Sequence, residues 1–229
     1  MVLTLSTIRS QMEILYLILG WLLGLLSPAI VGYIQDGRNV RILNLILLRR
    51  IRELQYGLVL VVFLIESRYD DKFDENFFKW AKSKIDEYKG VNSNEDFLKA
   101  TKRLVKLPNE EIKKAIQYKQ SQVSDRGLSL RKHSLFLSEI DKILFGKFDS
   151  MLQDYFLEIE TRIGFMNELV EESQYYFKLS FQSDISSENY KIANINMINT
   201  YKNYAIQARS IIELISKVLG QQKIKKLFI

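Results

Sequence analysis

The sequence predicts an all-α protein, in which an N-terminal transmembrane helix precedes a cytoplasmic helical domain containing a long antiparallel αα-hairpin. Three observations carry this expectation. An uncharged apolar run fills Ile14–Ile34. Apolar residues recur at steps of three and four over much of the remaining chain, which is the spacing of one helix face. Only 2 prolines and 10 glycines punctuate 229 residues, too few for the many tight turns of a sandwich or barrel.

The first element is the span. Ile14–Ile34 reads ILYLILGWLLGLLSPAIVGYI; about 21 residues rising ~1.5 Å each reach about 31 Å, the thickness of a bilayer core. Tyr16 and Tyr33 stand near its ends, where amphipathic rings favour the interface. A secretory signal is the main competitor, with Arg9 as its basic region and Ser27-Pro28-Ala29 imitating a cleavage site. The apolar run continues past that point to Ile34, too long for such a segment. Arg9 is the one basic residue before the span, whereas Arg38, Arg41, Arg49, Arg50 and Arg52 follow it. That asymmetry places the C-terminal side in the cytoplasm, with the arginines at the membrane surface. Within the span Gly20, Gly24, Pro28 and Gly32 fall every fourth residue and share a face. Small residues there allow close helix–helix approach, so self-association is expected. Pro28 is expected to kink the helix.

A second apolar segment, Leu54–Ile65, is only about twelve residues long, short for a span. Val40, Leu43, Leu47, Ile51, Leu54, Leu58, Val61 and Ile65 follow helical spacing. The segment is either a long amphipathic helix, packed on the domain or lying on the membrane surface, or a short second span.

Asp74 is the expected N-cap of a helix from Glu75 to about Tyr88, ended by Lys89-Gly90. Ser93 and Asp96 have capping-box spacing before a short helix reaching Val105. Pro108, with Glu110 and Glu111, opens another that ends before Asp125-Arg126-Gly127. One long helix is then expected from Leu130 to Phe181. Its stripe is Leu137, Ile140, Leu144, Phe148, Leu152, Tyr155, Ile159, Ile163, Met166, Val170 and Phe177. Ser186 or Ser187 caps the return helix, whose stripe runs from Tyr190 through Ala193, Met197, Tyr201, Tyr204, Ala208, Ile211 and Ile215 to Val218, with Gly220 as the expected end. The resulting division is an anchor over 1–35, a basic linker with the second apolar helix over 36–67, short helices over 68–128, and the hairpin with a basic tail (Lys223, Lys225, Lys226) over 129–229.

Chemistry is sparse. There is no cysteine, which excludes disulfides, thiolate metal sites and a cysteine nucleophile. A single histidine excludes any site with several His ligands in one chain. His133, beside Arg131 and Lys132, reads as a surface residue at a helix start. Glu168, Glu171 and Glu172 share a face but read as solvated. Tyr175, Tyr176 and Phe177 read as core. No phosphate-binding loop or GxSxG elbow occurs. The chain is therefore expected to be no enzyme, with no cofactor, metal or small-molecule substrate. Its net charge of +6 is modest, and its basic clusters adjoin apolar sequence, which fits a membrane surface better than nucleic acid.

The succession LGWLLGLLSPAIVGYIQ, LLRRIRELQYGLVLVVFLI and SRYDDKFDENFFKWAKSKI, covering about the first third of the chain, resembles the small transmembrane effectors of bacterial retron anti-phage systems. The resemblance implies a two-span toxin of the bacterial inner membrane. A reverse transcriptase with its RNA–DNA hybrid would hold it silent, and phage attack would release it to permeabilise the membrane in abortive infection. A non-toxic adaptor that anchors a soluble partner is the alternative, and a nucleic-acid sensor using the basic linker is a third.

Overall fold

The computed structural model describes residues 2–69, 74–88, 107–121, 127–182 and 184–227. Six helices are described: α1 (Val2–Tyr69), α2 (Glu75–Asp86), α3 (Asn109–Ser121), α4 (Lys142–Phe145), α5 (Ser150–Leu179) and α6 (Ser187–Leu227). No strand occurs among the described residues. The chain divides into two compact units, Met1–Leu45 with Asp141–Phe148, and Ile46–Ile140 with Asp149–Ile229.

In the first unit α1 carries the apolar run, and its side chains from Tyr16 to Ile34 face outward throughout. The helix continues through Pro28. Among the described residues α1 is the one helix long and apolar enough to cross a membrane, and none of its most apolar window is buried. The short helix α4 is started by Asp141, whose carboxylate accepts from Ile143 N–H at 2.8 Å, and Lys147 behind it pairs with Asp36 of α1.

The second unit holds the core. Leu47, Ile51, Leu58, Val62 and Ile65 of α1 are buried. So are Phe156, Ile159, Ile163, Met166 and Val170 of α5, at alternating steps of three and four. From α6 come Ala193, Met197, Tyr201, Tyr204, Ala208, Ile211, Ile215 and Val218. Most of these are the residues that helical spacing singles out; Val62 is buried where the spacing marks Val61 and Phe156 where it marks Tyr155, both of which are half-buried, while Tyr190 and Phe177 are exposed. α5 and α6 pack on each other. Arg162 of α5 donates to Gln207 of α6 at 3.2 Å, and Gln221 of α6 reaches Met151 near the start of α5. α2 closes one side with Phe77, Phe78, Ala81 and Ile85 buried, Phe78 meeting Phe63 of α1 edge-on at 5.6 Å.

Local signals decide most boundaries. Asp74 caps α2 by accepting from Phe77 N–H at 2.9 Å. Ser186 caps α6 by accepting from Asn189 N–H at 3.2 Å. The carbonyl of Pro108 accepts from Ile112 at the start of α3. Lys89-Gly90, the Ser93–Asp96 box, the helix to Val105 and Asp125-Arg126 lie outside the described residues, as do the side chains of Lys223, Lys225 and Lys226.

Three expectations are corrected. Residues 127–141 are not the start of a long helix but an irregular strap, and α5 begins only at Ser150, after Asp149 has capped it through Met151 N–H at 3.0 Å. The reason lies in side chains from the helices beneath. Tyr201 accepts from Leu128 N–H and donates to Leu128 C=O, both at 2.9 Å. Asn167 accepts from His133 N–H at 2.8 Å and donates to His133 C=O at 2.9 Å. Glu160 accepts from Leu137 N–H at 2.8 Å. With backbone groups paired in this way the segment loses the main reason to coil, and it buries Leu130 and Phe136. Gly220 does not end the last helix; α6 runs to Leu227. Tyr175 and Phe177 are exposed rather than core.

Candidate functional site

The residues singled out by sequence fall on one helix, α1, in three successive zones. In the first, Gly20, Gly24, Pro28 and Gly32 lie on an exposed face. A Cβ added at Gly20, Gly24 or Gly32 would meet nothing within 4 Å. These glycines therefore serve no packing need inside the described chain, and Trp21, Leu17 and Leu23 beside them are mostly exposed.

The second zone is basic. Arg38, Arg41, Arg49, Arg50 and Arg52 are all exposed. Both terminal nitrogens of Arg50 donate to Glu139 of the strap at 3.0 Å. Arg49 and Arg50 border an open groove of about 690 Å³ whose far wall is the strap, through His133, Phe136 and Glu139.

The third zone is the second apolar segment. Leu58 and Ile65 are fully covered, while Leu54 and Val61 are half-buried. This part of α1 packs in the helical core of the second unit, and its buried face is wider than the three-and-four spacing marks, taking in Tyr56, Val59, Val62 and Phe63. Polar side chains pin it to α6. Gln55, buried, donates to the Ile212 carbonyl at 3.1 Å and to Ser216 Oγ at 2.9 Å. Glu66, 7% exposed, receives Arg209 Nε at 2.6 Å and also Arg209 Nη2. The guanidinium lies 4.7 Å from the Trp80 ring centroid and 5.0 Å from that of Phe77, where a cation is attracted to the ring faces. Trp80 Nε1 in turn donates to Glu213 at 3.0 Å.

His133 is not the surface residue its neighbours suggest. Its Nε2 lies 2.9 Å from Tyr204 Oη. Burial lowers its pKa below the ordinary histidine range and raises that of Tyr204. Burial likewise raises Tyr201 to about 12, against the lowering effect of its bond to Leu128. A neutral imidazole and protonated phenols let these groups work as hydrogen-bond partners of the strap. Glu168 and Glu172 are exposed, and Glu171 pairs with Lys132 on the surface. Among the described residues no group of three or more acidic or histidine side chains could hold a metal ion.

The Glu66–Arg209 clasp, Gln55 and the strap bonds are what sequence reasoning missed. Two signals were present. Glu66 is a lone acid directly after the apolar run VVFLI, and Arg209 directly follows Ala208 inside the α6 stripe. Charges at such places are rarely buried unless paired. No family model matches the chain, and neither a curated protein nor a solved structure matches it.

Proposed function

We propose that this chain is an effector of a retron-type anti-phage defence system. It sits in the bacterial inner membrane and permeabilises that membrane once its restraint, a reverse transcriptase with its RNA–DNA hybrid, is lost. Its helical region is cytoplasmic, the side to which the arginines after the span assign it, and α5 with α6 forms an antiparallel αα-hairpin. The opposite order of the pairs Arg162–Gln207 and Met151–Gln221 supports the hairpin.

One observation carries the reading. A single helix bears an apolar segment left entirely open and a second one covered by α6 and held by Glu66–Arg209 and Gln55. Such a covered segment suits a silent state. Loosening α6 would free Leu54–Ile65 for the bilayer, beside spans associated through the Gly20, Gly24 and Gly32 face, and arginines drawn inward would admit water.

The test is induced expression in a bacterium with a membrane-potential dye and propidium, comparing the full chain with a deletion of Met1–Ile34. Rapid permeabilisation that needs the span is expected. Intact membranes in cells making abundant protein, even with the neighbouring genes and phage supplied, would sink the toxin reading.

The adaptor reading has its own support. Phe165 of α5 and Ile195 and Ile206 of α6 are more than half exposed, an apolar surface a soluble partner could cover. An adaptor is tolerated on overexpression, whereas a toxin is not.

A further inference from the structure

The segment Asp141–Phe148 belongs to the same unit as the apolar run of α1, although about a hundred residues separate them in sequence. One ion pair fixes its place: Lys147 pairs with Asp36, only two residues beyond Ile34, and the next residue, Phe148, is buried. On an α-helix two residues rise about 3 Å, so Asp36 stands at the depth where hydrocarbon gives way to headgroups. α4 is thereby held at that depth. Asp141 caps it and Phe145 packs on Phe148 at 5.5 Å, which leaves Ile143 turned outward and 75% exposed. Its chain neighbour Lys142 is exposed, and so are Arg38 and Arg41, which follow Asp36 on α1 in the same unit; Asp141 is the exposed acid at the cap.

We infer that α4 is a second membrane contact, in which Ile143 enters the interfacial layer of the bilayer while Lys142, Arg38 and Arg41 face anionic headgroups. The inference rests on the reading of Ile14–Ile34 as a span. An isolated exposed isoleucine needs no explanation in general. This one is held by a cap and an ion pair beside the end of the apolar run, next to Lys142 and in the same unit as Arg38 and Arg41, an arrangement that suits an interfacial anchor. A protein partner is a poorer fit, because one helical turn offers far less than the ~800 Å² per side of a stable interface. Once the span is inserted the contact is intramolecular, so a single side chain suffices where it could not recruit a free protein. The consequence is a fixed orientation of α1 about its own axis, with the α4 side turned to the headgroups.

The chain has no cysteine, so single-cysteine variants report without background. The full-length protein carrying Leu25→Cys, Ile143→Cys or Ile195→Cys is labelled with an environment-sensitive fluorophore and placed in nanodiscs of phosphatidylcholine with phosphatidylglycerol. Quenching is read with lipids spin-labelled near the headgroup or deep in the chain. Position 25 should be quenched by the deep label and position 195 by neither. Position 143 should be quenched severalfold more by the shallow label than by the deep one, and less so when Lys142→Glu is added or phosphatidylglycerol is omitted. Quenching at 25 with position 143 as unaffected as 195 would overturn the inference and leave the span intact. Quenching insensitive to both Lys142→Glu and phosphatidylglycerol would also overturn it, since the cations would then have no role. Absence of quenching at 25 would remove the span itself, and the inference with it.

Discussion

Arg209 on α6 holds the carboxylate of Glu66 on α1 with two of its nitrogens, Nε at 2.6 Å, and its guanidinium lies over the neighbouring rings of Trp80 and Phe77. The Glu66 side chain is almost wholly buried and that of Arg209 is partly open to solvent. Removing the arginine therefore strands a buried carboxylate, whereas removing the acid leaves a guanidinium that water can reach. A fully buried orphan costs about 3–5 kcal/mol; solvent at the arginine side reduces this to about 2 kcal/mol. R209A should lower stability by that amount in thermal unfolding in detergent micelles, and E66A by less. If covering of α1 keeps the protein silent, R209A should also hasten dye uptake on induction.

The strap depends on Tyr201, which holds both backbone groups of Leu128. Y201F leaves them without that partner, a loss of about 1–2 kcal/mol. Next to it a Cβ at Gly127 would stand 2.8 Å from Phe177 Cδ2 and 3.0 Å from Tyr201 Oη, closer than atoms pack. G127A should cost about 1–3 kcal/mol through this crowding. Hydrogen exchange should show faster exchange at Leu128 and His133 in both variants. Unchanged protection there would show that the strap holds by burial of Leu130 and Phe136 alone.

His133 makes stability depend on pH. Burial disfavours its imidazolium, so the unfolded chain takes up a proton at a pH where the folded chain does not. The stability tied to this residue is complete above the ordinary histidine value, about pH 6.5. It is lost as pH falls from there through the lowered folded value. Glu160 is shifted upward by burial, with the Leu137 N–H opposing, and acts in the opposite sense at the lower pH where carboxylates titrate. The melting temperature should therefore fall as pH is lowered from about 6.5 to about 5, and H133Q should flatten that slope. A slope unchanged in H133Q would assign it to other groups.

Gly20 and Gly24 have open space around them, so the double substitution to leucine should leave the fold unaltered. Self-association through this face should then be lost, by crosslinking or energy transfer in bilayers, because leucine side chains keep the helix backbones apart. Killing by the double variant equal to the parent would separate toxicity from association.

The helical class, the apolar run and the principal stripes were legible in the sequence because each depends on spacing along one helix. Caps were legible for a similar reason: Asp74 and Ser186 bond to amides three residues on. The strap was not. Leu137, Ile140, Leu144 and Phe148 fit a helical reading, and what turns 127–141 away from it is hydrogen bonding from residues such as Asn167, 34 positions away, and Tyr201, 73 away. Tyr175 and Phe177 misled in the opposite direction, since aromatic type alone does not tell a covered helix face from an open one.

By itself, then, the sequence determined what local periodicity and uninterrupted apolarity can determine: α1 with its open run, and the faces of α5 and α6 that need cover. Tertiary structure decided what only contacts between distant segments can decide. It covers Leu58 and Ile65, pairs Glu66 with Arg209, and brings Lys147 to Asp36. The physical reason is that hydrophobic spacing marks the faces of a helix without naming their partners, whereas a buried charge or backbone amide is stable only beside one particular group.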